Sequence, residues 1–349
     1  MDSFKTIWHN EELISKPSSF CQLRYTHIRD CKNLTAVFPS TLVERFQNNL
    51  KTAAIHSCPS VELIFETAVA AATAAAAAGA KKKKYNPAAV MLHELEDLLL
   101  DDLPKLKHML DYDSHALVGF PNLEKIFFKG CHSLTYFLPF ATARNLLKLK
   151  SLTLGKSNNI LEVVADGDRG GWRHYNLKTV ARGLLQLQEI DIYDCTVLEE
   201  LIAGGEVLEE DETLPPEDQL LFPWLISLKF RILPNLKRLF PINYSMEWSL
   251  LKNLFAYECG QLKIFASELR PRSEEDDIDS QQALLSIEQV IPNLEPLGLG
   301  SEDVLTIMDS DFPNDIFRSL KILSLASIQD GSTGFPSKFL LDRFPDSTT

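Results

Sequence analysis

The stretch Leu187–Leu198, LQEIDIYDCTVL, decides how the chain is read. Apolar residues stand at Leu187, Ile190, Ile192 and Leu198, with Cys195 among them. Ile190 and Ile192 are two apart, the spacing that puts side chains on one face of a short strand. The thiol has four readings: nucleophile, metal ligand, half of a disulfide, or part of a buried wall.

The same spacing recurs, written as apolar-x-x-apolar-x-apolar-x-x-slot-x-x-apolar. It starts at Leu23, Leu50, Leu95, Leu123, Leu149, Leu187, Leu225, Leu251, Leu294 and Leu320, ten units in all. Most successive starts are 26 to 28 residues apart, with longer steps of 38 and of 43 to 45. A fixed period in this range marks a leucine-rich repeat solenoid. The fold class expected is therefore α/β: a curved horseshoe with a parallel sheet on its concave face and short helices and loops on its convex face. Thr26, Ala53 and Ala256 fill apolar positions weakly, and Gly331 stands where the last unit wants a hydrophobe. Terminal repeats are often atypical because one of their faces lacks a neighbour.

Five of the six cysteines occupy one slot: Cys31, Cys58, Cys131, Cys195 and Cys259. The slot follows the strand and turns inward, where a small, weakly donating thiol substitutes for asparagine. A catalytic cysteine needs a base and an oxyanion site, and gains nothing from four copies of itself. Zinc wants close pairs such as C-x2-C, which are missing from this sequence. Disulfides between stacked rungs are sterically conceivable and need an oxidising compartment. The reading is a structural slot. Cys21 lies outside it.

The 349 residues carry a net charge of −13, which argues against a nucleic-acid surface. No window of uncharged apolar sequence is long enough to span a membrane. The first seventeen residues, MDSFKTIWHNEELISKP, lack the basic start and apolar run of a secretory signal. The expected location is cytoplasmic, with reduced thiols. Lys81 to Lys84 would make a nuclear-import patch in the alternative reading to a solvated linker end.

The expected organisation is an N-terminal cap or partial repeat at 1–20, the repeat domain at 21–330 and a tail at 331–349. Four segments interrupt the period: the low-complexity insertion at 68–88, the glycine-rich DGDRGGWRHY at 166–175, and two acidic loops at 206–218 and 273–279. The glycine-rich loop lacks G-x4-G-K-[ST], and the acidic loops lack EF-hand spacing. The returns from Ala141 (ATARNLLKLKSLTL) and Thr179 (TVARGLLQLQEIDI) are nearly alike, and their spacing predicts a short helical turn. The eight histidines are scattered and form no H-E-x-x-H, and G-x-S-x-G does not occur, so no catalytic, cofactor or metal site is expected.

The phrases LEKIFFKGCHSLTYF, ARGLLQLQEIDIYDCTVLEELIA and FPWLISLKFRILPNLKRLFPINYSMEWSLLKNLFAYECGQLKIF resemble the repeat region of plant coiled-coil, nucleotide-binding, leucine-rich-repeat disease-resistance proteins. The resemblance covers about Leu13 to Ile328 and includes the F-P-x-L openings at Phe120 and Phe222. It implies a non-enzymatic sensor that recognises a pathogen effector or a guarded host protein. In an intact receptor the sensor would also touch a nucleotide-binding switch domain. The sequence holds no Walker A motif and no Met-His-Asp triplet, so ATP or ADP binding is not carried over. The alanine–lysine segment departs from the family, which places an acidic loop there.

Side chains between the buried strand positions face the concave surface. The protein-binding set expected from them is Tyr25, Arg29, Phe127, Lys129, Asp191, Tyr193, Lys229, Arg231, Phe255 and Tyr257. Exposed aromatics beside charges are the composition of a protein-binding surface. Exposed aromatics on strands also follow from strand propensity alone. The partner expected is a protein, with no nucleic acid, membrane or metal. The alternative function is a substrate adaptor of a ubiquitin ligase with cysteine-containing repeats, although the first twenty residues are too short for an F-box bundle.

Overall fold

A computed structural model describes residues 7–8, 20–66, 90–110, 118–143, 145–165, 184–202, 222–239, 248–266, 283–286, 291–300, 303–304 and 319–326. The insertion at 68–88, the glycine-rich loop, both acidic loops, residues 179–183 of the return at Thr179, Gly331 and the tail lie outside them. The chain divides into two compact units, Met1–Gln186 and Leu187–Thr349.

Unit 1 contains β1 (Tyr25–Arg29), β2 (Ala36–Phe38), β3 (Thr52–His56), β4 (Leu63–Phe65), β5 (Val90–Met91), β6 (Asp97–Asp101), β7 (His108–Leu110), β8 (Val118–Gly119), β9 (Lys125–Lys129), β10 (Tyr136–Pro139), β11 (Ser151–Gly155) and β12 (Glu162–Ala165). Its principal ladder runs β1-β3-β6-β9-β11, all parallel. Unit 2 contains β13 (Glu189–Tyr193), β14 (Glu200–Ile202), β15 (Ser227–Arg231), β16 (Asn253–Tyr257), β17 (Lys263–Ala266), β18 (Ala283–Ser286), β19 (Pro296–Leu299) and β20 (Ile322–Leu325). Its ladder runs β13-β15-β16-β19-β20, again parallel. Each of the ten repeats read from the sequence thus supplies one strand. The fold is a leucine-rich repeat solenoid.

The alternation that makes these strands is visible residue by residue. β1 reads exposed, buried, exposed, buried, exposed, with Thr26 and Ile28 inward. In β9, Ile126 and Phe128 point in while Lys125 is exposed and Phe127 and Lys129 are half-buried. Two reverse turns bracket the strand. Before it, Leu123 N–H donates to Phe120 O, as Leu95 does to Leu92, Leu225 to Phe222 and Leu251 to Trp248. After it, Leu134 N–H donates to Cys131 O, with the same bond at Leu34, Val61, Leu106, Leu198, Leu236 and Leu262. The F-P-x-L phrases put proline second in the leading turn, where its fixed φ fits.

A feature absent from the sequence reading lies between strand and slot. Among the described residues, the one just before each slot has a left-handed backbone: Asp30, Ser57, Asp102, Gly130, Lys156, Asp194, Ile232 and Glu258, with φ from 49° to 68°. The chain must turn sharply inward there, and the stack imposes the geometry whatever residue occupies it. Asp tolerates this conformation; a β-branched residue does not. Ile232 is 42% exposed, so it strains the backbone without filling the core. Ile232→Asn is expected to raise stability by about 1 kcal/mol, read as an upward shift of the urea midpoint.

The returns hold more strand than expected. A second short strand follows several slots, as in the ladder β2-β4-β7 and the pairs β10-β12 and β17-β18. Its buried residues come in doublets: Val37 and Phe38, Ile64 and Phe65, Phe137 and Leu138, Val163 and Val164. The helical turn expected from Ala141 is present as a four-residue helix, Phe140–Ala143. A longer helix, Ser40–Phe46, buries Leu42, Val43 and Phe46.

Between the two layers of strand lies a column of rings in unit 1. Phe38 stacks on Phe65 at 5.1 Å and 11°, and Phe65 lies 5.9 Å from Phe120. Trp8 caps the column, 5.8 Å from Phe46, and its Nε1 donates to Val37 O at 2.7 Å. One inward position is chemically wrong for its place: Thr26 Oγ1 is buried with no hydrogen-bond partner. Thr26→Val keeps the shape and removes the orphan hydroxyl, so a gain of about 1 kcal/mol is expected in a thermal melt.

Candidate functional site

The slot cysteines form a spine along the stacked rungs. Cys58, Cys131, Cys195 and Cys259 are buried, and Cys31 in the first rung is half-buried. Each thiol donates to the carbonyl two residues back: Cys31 to Arg29 at 3.5 Å, Cys58 to His56 at 3.2 Å, Cys131 to Lys129 at 3.6 Å, Cys195 to Tyr193 at 3.4 Å and Cys259 to Tyr257 at 3.3 Å. Ser157 fills the same slot and donates to Gly155 O at 3.1 Å. The sulfur or oxygen also accepts from the neighbouring rung. Cys31 N–H donates to Cys58 Sγ at 3.4 Å, and Cys131 N–H to Ser157 Oγ at 3.3 Å. Beside Cys259, Leu233 N–H donates to Glu258 O at 3.0 Å.

Burial holds the Cys58, Cys131 and Cys259 thiols protonated. Desolvation pushes Cys131 and Cys259 up to about 12 and Cys58 to about 11. An unfolded cysteine titrates near ~8.5. Below that pH both states hold the proton, and the stabilisation is complete. Above it the unfolded chain releases protons that the folded chain retains, so stability falls as pH rises toward the folded values. The urea midpoint is expected to drop between about pH 9 and pH 11. Cys131→Ser with Cys259→Ser should flatten that drop, since serine does not titrate there and Ser157 shows that it fits the slot.

The predicted face residues separate into two groups. In unit 1 the register aligns Arg29, His56, Asp101 and Lys129 in one row and His27, Ala54, Leu99 and Phe127 in the next. Asp101 sits between His56 Nδ1 at 3.8 Å and Lys129 Nζ at 3.5 Å. Phe127 is half-buried beside Leu99, and Tyr25 stands 60% exposed on the first strand. A parallel row of pairs runs one residue before the strands. Lys51 meets Glu96, and Lys150 meets Glu124 at 2.9 Å. The Glu96 hydrogen bond holds the Lys51 ammonium above its ordinary pKa.

In unit 2 the structure brings all six predicted residues together. Rows align Asp191, Lys229, Phe255 and Gly298, and beside them Tyr193, Arg231 and Tyr257. One guanidinium nitrogen of Arg231 reaches both Asp191 oxygens, at 2.9 and 3.2 Å. The same guanidinium lies 4.9 Å from the Tyr193 ring centroid. Phe255 and Tyr257 lie 6.1 Å apart, both half-buried. Their position depends on Gly298: a Cβ there would collide with Tyr257 Oη and Phe255 Cδ1. The two rings therefore lie over bare backbone, as an aromatic platform beside a pinned cation. Sequence reasoning missed Gly298, Asp191's bond to Arg231 and the hub at Asp101. A glycine inside a strand pattern was the available signal for the first.

Among the described residues no group of three or more His, Cys, Asp or Glu could hold a metal ion. Among the same residues no helix is long and apolar enough to cross a membrane. Residues 1–158 match the family model described as plant disease resistance protein RPS2-like, leucine-rich repeats. No curated protein matches the chain. The repeat spacing and the stacked parallel strands make the chain a leucine-rich repeat protein, and over residues 1–158 it is similar to the leucine-rich repeats of plant disease resistance proteins.

Proposed function

We propose that the chain is a non-catalytic recognition module of a plant intracellular immune receptor of the coiled-coil, nucleotide-binding type. It acts in the cytoplasm and binds a pathogen effector or a guarded host protein through its strand face. A nucleotide-binding switch domain is its second partner in the intact receptor. The observation that carries this reading is the unit 2 cluster, where Arg231 is clamped by Asp191 and stacked on Tyr193 beside the Phe255–Tyr257 platform. A preorganised cation next to half-exposed rings loses little freedom on binding, and Arg and Tyr are the residues that concentrate interface energy. Tyr25, Arg29, Phe127 and Lys129 form the corresponding set in unit 1.

Proximity labelling from infected and uninfected plant tissue tests the proposal. The wild-type chain is compared with a variant carrying Phe127→Ala, Tyr193→Ala, Phe255→Ala and Tyr257→Ala. A pathogen or host protein labelled by the wild type and lost from the variant supports recognition on the strand face. Equal labelling by both chains overturns it. Recovery of a ubiquitin-ligase scaffold in place of an immune partner replaces it with the adaptor reading.

A further inference from the structure

Among the described residues, Cys31 and Cys58 are the slot cysteines that occupy directly consecutive rungs, since β1 pairs with β3. Cys131 has Leu103 and Ser157 for slot neighbours, and Cys259 has Leu233. The pairing of β1 with β3 is in register through Arg29 and His56, two residues before each thiol. Both sulfurs point the same way, each bonded to the carbonyl two residues back. Cys31 N–H reaches Cys58 Sγ at 3.4 Å, and the two side chains are in contact. Rungs of a parallel sheet stand about 4.8 Å apart, inside the range of roughly 4.4–6.8 Å between Cα atoms that a disulfide spans. The two thiols differ in access: Cys31 is half-buried, whereas Cys58 is sealed.

We propose that Cys31 and Cys58 are a peroxide-responsive thiol pair that closes to a disulfide across the first two rungs. The chemistry balances in two steps. The Cys31 thiol gives two electrons to hydrogen peroxide, breaking the O–O bond and leaving a sulfenic acid and one water. The Cys58 sulfur then attacks the Cys31 sulfur. Its proton leaves with the displaced hydroxyl as a second water, and the S–S bond forms. Access sets the order, with Cys31 meeting the oxidant and Cys58 resolving it. Both thiol bonds to main-chain carbonyls are given up in exchange for a covalent tie between β1 and β3. That tie closes a 27-residue span of chain and excludes states in which the first strand detaches.

The test uses the full chain, treated with hydrogen peroxide, alkylated and mapped by peptide mass spectrometry without reduction. A linked peptide pair containing Cys31 and Cys58 is expected, and it should vanish after reduction. In Cys58→Ser the linkage should be lost and a dimedone adduct should appear on Cys31. In Cys31→Ser neither should form. Serine occupies the slot at position 157, so both variants retain a fitting side chain. A Cys21–Cys31 linkage, a dimedone adduct on Cys58, or alkylation of both thiols to the level of the untreated chain would overturn the proposal.

Discussion

Phe128→Ala is expected to lower the free energy of unfolding by about 3–5 kcal/mol, and Phe127→Ala by about 1 kcal/mol or less. The two phenylalanines are adjacent on β9 and differ only in which way the strand turns them. Phe128 is fully buried, and its ring stands 4.5 Å from Phe137 at 65°, an edge-to-face contact between the two strand layers. Removing it opens a hole between rungs that pack rigidly above and below. Phe127 is half-buried on the outer face, so its loss exposes little and empties nothing. In a stacked array each rung is stabilised chiefly by its neighbours, so the Phe128 cavity also weakens β6 and β11. Urea titration of both variants by far-ultraviolet circular dichroism decides the matter. Equal midpoints would contradict the alternation on which the fold rests.

The second large effect concerns recognition. Arg231→Ala is expected to weaken partner binding by about 2 kcal/mol or more, roughly 30-fold, with stability nearly unchanged. Arg231 is exposed, so its pair with Asp191 adds little to folding, while its orientation is fixed by that carboxylate and the Tyr193 ring. Arg231→Lys should recover little of the loss. An ammonium lacks the flat face that lies on tyrosine, so it cannot hold the carboxylate and the ring at once. Titration calorimetry with the recovered partner measures both variants. An Arg231→Lys variant that binds like wild type would reduce the cluster to a point charge.

How much of this was legible in the sequence differs by element. The ten strand positions were, because leucine spacing directly encodes which side chains go inside. The equivalence of the five cysteine positions was also legible, from their common spacing to the strand. The left-handed row was not. Asp, Ser, Gly, Lys, Ile and Glu share no propensity, and the conformation comes from where the chain must go after the strand. The second layer of strands was hidden for another reason. Doublets such as Val163–Val164 are too short to show a period, and they become strands only because a neighbouring return lies alongside. At the candidate site the sequence named the residues of unit 2 but not their coupling. That Asp191 on β13 clamps Arg231 on β15, forty residues later, depends on register rather than on either residue's type.

Register has a further consequence. Tyr25 pairs with Thr52 across 27 residues, and Thr52 pairs with Asp97 across 45, yet the rows stay aligned. In unit 2, Glu189 pairs with Ser227 across 38 residues and Ser227 with Asn253 across 26, again without a slip. Strand phase is therefore indifferent to the length of the intervening return. Insertions and deletions in the returns remodel one side of the repeat, while point changes at the outward strand positions remodel the other. The two kinds of genetic variation act on separate surfaces of the same scaffold, so the chain can lengthen a loop without rewriting the face, or rewrite the face without disturbing the wall behind it.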